Sequence, residues 1–468
     1  MTADTVELSI TIKVNQQKIQ TTKMLAMRQI EEGVHHLMAE LGGRVVKAGI
    51  EAIDDQIAKE RPKGWRNAGT ESRWLVSSLG AIRYKRRIYL DEYKRRRKPI
   101  DELLGVERYR RVSERVQEMG SYLACTGTYR QAAAQLSWMI KTPISHSTIQ
   151  RMSWVIGNRI ADGEEAQCKQ IFEAGSAVQA GQIKAPVLYA ESDGVWVHLQ
   201  REARRSAEVR VAILSSGKRQ IGKNRFKLAH KCCITAIGKR SQAWQEHLLY
   251  KAHCHFDLQH TRLLVSGGDG NQWVRHSFDR FALPQEFVLD HFHLRRAARR
   301  AFQDNAFADQ FVKVLRSQGF TAVQDTLDGL LAQSMGHRRE LLLDFYKYIR
   351  RNQDGLLDLQ HRGYSLPSCL GAIEGNVDKL VVQRMKGRGC SWRLPGVRAM
   401  LALCANRDLL KAHAYHYIPL TVPHKPYRRV QSLHEDYAHV IQRSIPVFSG
   451  PDQNKPWVIS LRRYIHGR

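Results

Sequence analysis

Between residues 187 and 290 the sequence sets out three strands, a helix, a strand, a helix and a strand. The strand-like runs are VLYAESDGVWVHL (187–199), AEVRVAIL (207–214) and KCCITAIG (231–238). The helical QAWQEHLLYKAH (242–253) follows, then RLLVSGGDG (262–270), a short helix from Asn271, and EFVLD (286–290). In this order the first three strands form a meander and the later ones are connected through helices, which predicts an α/β domain. Asp193–Gly194 and Asp269–Gly270 stand at the ends of two of these apolar runs. In open α/β sheets ligands bind at the carboxyl ends of strands. An Asp-Gly pair is equally the turn of a hairpin.

Carboxylates gathered in one place repel each other and suit hard divalent cations. Polynucleotidyl transfer uses two such ions, about 3.5–4 Å apart, one at the attacking and one at the leaving oxygen. Asp193 and Asp269 are candidate ligands, and Glu191 is a rival on the same strand face as Asp193. The segment VLDHFHLRRAARR (288–300) places Asp290, His291 and His293 at a strand-to-helix junction. A metal site, a supporting motif and a surface turn all fit it. Arg295, Arg296, Arg299 and Arg300 follow at helical spacings, either lining a DNA channel or facing solvent.

Charge narrows the partner. Against 45 Asp and Glu stand 74 Lys and Arg, a net charge of +29. Such an excess attracts a polyanion, nucleic acid before a membrane surface or ribosomal RNA. At 468 residues, 43% hydrophobic and 25% charged, the chain is long enough for two or three domains. No run approaches the ~20 apolar residues of a membrane span, and the N-terminus lacks a secretory layout. Eight cysteines without a C-x-x-C pair argue against a zinc ribbon and fit a reducing cytoplasm, here nucleoid-associated.

The flanks are basic and largely helical. Residues 20–60 carry apolar positions at helical spacing, as one helix or two around glycines 42, 43 and 49. RWLVSSLGAIRYKRRIYL (73–90) reads as a β-hairpin, with Ile82, Tyr84, Arg86 and Ile88 on one face and Arg83, Lys85, Arg87 and Tyr89 on the other. YKRRRKP (93–99), with Arg95, Arg96 and Arg97, is a solvated turn or a phosphate-contacting arm. Two helices, 128–140 and 146–159, flank KTPIS, with Ser145 or Ser147 as a cap. This is a helix-turn-helix outline, or a plain helical hairpin. Residues 294–360 are again helical, a further helix starts near Ala372, and the proline-rich end holds a helix at 430–443. His413 and His416 are the only other neat histidine pair.

Three motifs now converge: GDG-x-x-W at 268–273, LD-x-FHL at 289–294, and AIEGNV (372–377) followed by RMKGRGCSW (384–392). Together with RRIYLDEY (86–93), IDELLG (100–105) and TYRQAAAQLS (128–137), they resemble the ISLre-type bacterial insertion-sequence transposases, of the Mutator-like Asp-Asp-Glu group. The resemblance runs across most of the chain. It implies an RNase H-like core with an all-helical insertion, preceded by helical and β-hairpin DNA-binding regions.

By that resemblance Asp193, Asp269 and Glu374 are the catalytic acids and hold two Mg²⁺ or Mn²⁺ ions. Asp290 and His293 form a supporting D-x-x-H element. Asp378, one helical turn past Glu374, is its rival. Arg384, Lys386, Arg388 and Trp392 follow as DNA contacts, with Trp392 stacking on a base or lying in the core. The implied organisation is an N-terminal helical region (1–72), a basic hairpin and linker (73–105) and a helix-turn-helix-like region (106–165). The first part of the core (185–293), the insertion (294–367), the last part of the core with Glu374 (368–410) and a basic tail (411–468) complete it. The expected function is a transposase that binds terminal inverted repeats, hydrolyses and joins strands, and works on double-stranded DNA as a homo-oligomer. A nuclease that cuts without joining, a non-catalytic DNA-binding descendant and an RNA-binding protein are the alternatives.

Overall fold

The computed structural model describes residues 23–106, 111–223, 225–367, 369–413 and 454. They form two compact units, one within residues 23–150 and the other comprising residues 125–128 and 151–413. Among the described residues no helix is long and apolar enough to cross a membrane. The expected helix at 430–443 and His416 lie outside the described residues, as does the side chain of His413.

In the first unit α1 (Lys23–Glu60) is one helix, not two. Gly42 and Gly43 do not break it. They let the hairpin approach, since a Cβ on Gly42 would lie 2.7 Å from Leu79 Cδ1. The antiparallel strands β1 (Arg66–Ser77), β2 (Gly80–Leu90) and β3 (Arg96–Arg97) follow. Strand β1 begins earlier than its apolar residues indicate, because its first half is polar and exposed. Ile82, Tyr84 and Ile88 are buried. Arg86 is buried with them because it and Arg73 both meet Asp101 of α2 (Pro99–Leu103). Tyr89, expected on the basic face, is buried as well, 6.1 Å from the Trp65 ring.

Helices α3 (Glu114–Thr126), α4 (Tyr129–Ile140) and α5 (His146–Phe172) come next. Ser145 is the cap: its Oγ accepts from the Thr148 N–H at 3.1 Å.

The second unit is mixed α/β. Its five-stranded sheet has the order β8-β5-β4-β9-β10. The strands are β4 (Val187–His198), β5 (Ser206–Ser215), β8 (Cys232–Ile237), β9 (Leu263–Gly268) and β10 (Gln285–Leu289). Strands β4, β5 and β8 pair antiparallel, and β4, β9 and β10 pair parallel. A separate two-stranded ribbon, β6 (Gly217–Gly222) and β7 (Arg225–Ala229), interrupts the meander.

Alternation along the strands gives the sheet two apolar faces. Leu188, Ala190, Leu214 and Leu264 pack with Trp244 and Leu248 of α6 (Ser241–His255). Tyr189, Val265 and Val288 pack with Cys369 on the other. A short helix α7 (Gln272–Arg275) joins β9 to β10. Four helices then share one core around Phe302, Phe311 and Phe345: α8 (His291–Phe302), α9 (Asn305–Gln318), α10 (Thr321–Gln333) and α11 (Gly336–Arg351). The chain returns as α12 (Ile373–Val377), which runs on as a π-helix over Asp378–Lys386, then α13 (Leu394–Ala405) and α14 (Arg407–His413).

Candidate active site

Strand register assembles the site. Glu191 pairs with Gly267, and Leu289 with Gly268. Counting on by two residues and by one puts Asp193 in β4 level with Asp269 and Asp290, which directly follow the last residues of β9 and β10. Asp193–Gly194 lies inside β4 and is no hairpin turn. Gly194 is needed for closeness: a Cβ there would meet Glu208 Oε1 at 2.6 Å and Trp273 at 3.0 Å. Gly270 has φ +83°, and a Cβ would meet the Asn352 side chain at 2.7 Å. The Asn271 N–H donates to Asp269 Oδ1 at 2.9 Å, and the Tyr348 hydroxyl of α11 donates to the Asp269 carbonyl at 2.9 Å. The helical segment therefore helps hold the turn that carries Asp269.

The D-x-x-H motif is a helix cap with an attached imidazole. Asp290 Oδ2 accepts from the His293 N–H at 2.9 Å, capping α8, and also contacts His293 Nδ1 at 2.9 Å. Burial pushes the Asp193 carboxyl up, and Asp269 and Asp290 add to it, against the Gly194 N–H and His293. The bond to Asp290 raises His293, with Asp193 and Asp269 adding, against burial. Burial works to raise Asp290, but its two bonds from His293 hold it below the usual carboxylate range. The neighbouring acids thus favour the protonated form of His293.

Glu191 has another task than metal binding. It is buried, and its carboxylate accepts from the backbone N–H groups of Gly371 at 2.7 Å, Ala372 at 3.1 Å and Ile373 at 3.4 Å. It ties the start of α12 to the strand bearing Asp193. Glu374 follows immediately and is exposed. Among the described residues no three of His, Cys, Asp and Glu stand close enough to hold one ion, so Glu374 is not gathered with the aspartates. The oxygen donors of Asp193 and Asp269 suit a hard divalent cation, which would offset the crowding that raises Asp193. Asp378 accepts from Gln383 at 2.7 Å.

Residues 20–409 match the family described as "Uncharacterised protein family (UPF0236)". The chain belongs to the UPF0236 family. A relative from Streptococcus gallolyticus, described as "UPF0236 protein in vanSb 3'region", is 24% identical over 393 residues, 82% of this chain and 83% of its own length. Among solved structures, "Crystal structure of a pre-cleavage Mos1 transpososome" is 12% identical and covers 51% of this chain and 76% of that one, with a TM-score of 0.13, too low to carry a fold argument.

This UPF0236 chain divides its arginines by helix phase. Arg295 and Arg299 turn to Asp309, with Nε bonds of 2.6 and 3.1 Å. Arg296 and Arg300 are exposed and line a cavity of about 350 Å³ with Asp269, His293 and Tyr348. Two expected DNA contacts are corrected. Trp392 is buried and donates from Nε1 to the Met385 carbonyl at 3.0 Å, and buried Arg384 sits 4.7 Å over its ring. The Trp392 backbone bridges to His198 and Gln200, which locks the ring inside, so neither side chain reaches a base. Lys386 is exposed, and the Arg388 side chain lies outside the described residues.

In the hairpin, Arg87 pairs with Asp54 and Asp55, Arg95 with Asp91 and Arg97 with Glu102. Arg83, Lys85 and Arg96 are exposed. The role of Glu191 left no mark in the sequence, because its partners lie about 180 residues away.

Proposed function

We propose that this chain is the DNA transposase of a bacterial insertion sequence, a metal-dependent polynucleotidyl transferase that hydrolyses a strand at the element's ends and joins it to target DNA. One observation carries the reading: Asp193 in β4 and Asp269 and Asp290 just past β9 and β10 share one end of the parallel strands, with His293 bonded to Asp290 and lining a cavity with Asp269. The strand order, a meander followed by two helix-linked parallel strands, is in this reading an RNase H-like core, and α8–α11 are its insertion before Glu374. The net charge of +29 supports a polyanionic partner.

In this mechanism Asp193 and Asp269 would hold Mg²⁺ or Mn²⁺, and Glu374, which stands apart from them here, would have to approach to serve as the third acid. Such ions would supply charge neutralisation for in-line displacement at phosphorus. Arg296 and Arg300 bind the phosphate backbone beside Asp269. His293, oriented through Nδ1 by Asp290, offsets the negative charge of the acids. Glu191 fixes where α12 begins. The hairpin and helix-turn-helix-like regions bind the terminal repeats, and pairing of two ends makes the working form a homo-oligomer in a nucleoid-associated, cytoplasmic setting.

A second reading is favoured by the exposed position of Glu374: a non-catalytic, transposase-derived DNA-binding protein. The test is a joining assay with Mg²⁺, using a duplex that carries the ends of the element encoding the chain and a supercoiled target plasmid. Joined product supports the transposase. Cutting without joining gives a nuclease of the same architecture, and binding alone gives the second reading.

A further inference from the structure

The ribbon β6–β7 leaves the sheet at two bends and ends in solvent. Buried Gly217 has φ +132° where β5 gives way to β6, and His230 has φ +47° where the chain returns toward β8. Its root is anchored beside the candidate site. Lys218 Nζ donates to the Leu370 carbonyl at 2.9 Å, and Lys231 Nζ donates to Asn376 Oδ1 of α12 at 3.1 Å.

Beyond the root the ribbon is cationic and partly apolar. Residues 217–231 include Lys218, Arg219, Lys223, Arg225, Lys227 and Lys231 and no acid. Arg219, Lys223, Arg225 and Lys227 are exposed, and none forms an ion pair with another described residue. Arg219 pairs directly with Lys227 across the strands. Like charges opposite each other weaken a ribbon, and a two-stranded ribbon is marginal by itself. Ile221 and Phe226 are 52% and 60% exposed. A polyanion relieves the repulsion, and a groove covers the apolar residues.

We propose that this ribbon is a duplex-DNA-gripping arm. Arg219, Arg225 and Lys227, which alternation puts on one face, contact phosphates, and Phe226, on the other face opposite Gln220, enters a groove. The inference rests on the transposase reading for its ligand. The root ties the arm to the chain segment that leads into α12, which carries Glu374.

The test uses the full chain and a fluorescein-labelled duplex of about 40 base pairs, titrated between roughly 50 and 200 mM KCl. In one variant Arg219, Arg225 and Lys227 are each changed to Gln. The other is Phe226→Ala. All positions changed in the ribbon are exposed, and thermal melting checks that the fold is kept. The triple variant is expected to lose roughly tenfold or more in affinity and to lower the salt slope by about 2–3. Phe226→Ala is expected to lose affinity with the slope unchanged. A parent that binds duplex while the triple variant matches it in affinity and slope overturns the arm and spares the transposase reading. A parent that binds no duplex, or prefers an RNA duplex of equal length, overturns both.

Discussion

Gly371 donates its backbone N–H to Glu191 Oε2 at 2.7 Å, joining the loop before α12 to the strand that carries Asp193. Glu191→Gln keeps the volume but turns an amide NH₂ toward donors. The expected outcome is a loss of strand cleavage of roughly tenfold or more, with DNA affinity unchanged and stability lower by about 1–3 kcal/mol. Cleavage kinetics and binding titrations on the same preparations separate this positioning role from general unfolding.

Asp193 is expected to be a site where losing charge stabilises. Its carboxyl is pushed up by burial first and then by Asp269 and Asp290. A raised folded value means that its contribution is most favourable below the unfolded value of about 3.9 and is lost as pH rises through the folded value. At neutral pH without divalent cation, Asp193→Asn should raise Tm by about 2 °C. Adding Mg²⁺ should raise the Tm of the parent and leave the variant unchanged. Calorimetry with and without Mg²⁺ measures both effects.

Behind the sheet, Glu164 of α5 bonds Lys251 at 2.6 Å and His247 at 3.1 Å, both on α6. Burial would raise Glu164, but Lys251 and His247 together hold it well below the usual range. Burial lowers His247 despite Glu164. Lys251→Met should cost about 3 kcal/mol at pH 7 by stranding the Glu164 charge. In the parent both shifts act in one direction on acidification. Burial disfavours the protonated form of His247, so stability is lost as pH falls below about 6.5, and the depressed Glu164 adds to the loss as pH falls below about 4.3. Urea melts across that range should show a parent that weakens steadily and a Lys251→Met variant whose deficit shrinks toward acid.

Trp392 distinguishes core from contact. Trp392→Ala should destabilise the second unit by about 3–5 kcal/mol. A base-stacking residue would instead lose DNA affinity at unchanged Tm. Thermal melting decides between them.

Much of the architecture was legible because strands alternate and helices repeat. The runs at 187–199, 207–214, 231–238 and 286–290 became strands within a residue or two, and the Ser145 cap and the start of α12 near Ala372 were readable locally. What escaped depends on partners far along the chain. VLYAESDG shows Glu191 and Asp193 on one face, yet only the fold brings Gly371 to Glu191. Helical spacing groups Arg295, Arg296, Arg299 and Arg300, and only the position of Asp309 sorts them into two pairs. The ribbon at 217–229 was missed because its strands are short, exposed and charged, and their only polar–apolar alternation is the brief run at 225–228. Trp392 was ambiguous because aromatic residues beside arginines look the same in a core cation–π pair and on a DNA surface.

The most direct measurement is strand cleavage of a duplex carrying the element's ends, in Mg²⁺, by the parent chain and by Asp269→Asn. The account predicts metal-dependent nicking at the element ends by the parent and none by the variant, with both binding the duplex equally. Equal nicking by the two proteins, or none by a parent that binds those ends, would contradict the claim that Asp193 in β4 and Asp269 at the end of β9 belong to a catalytic centre.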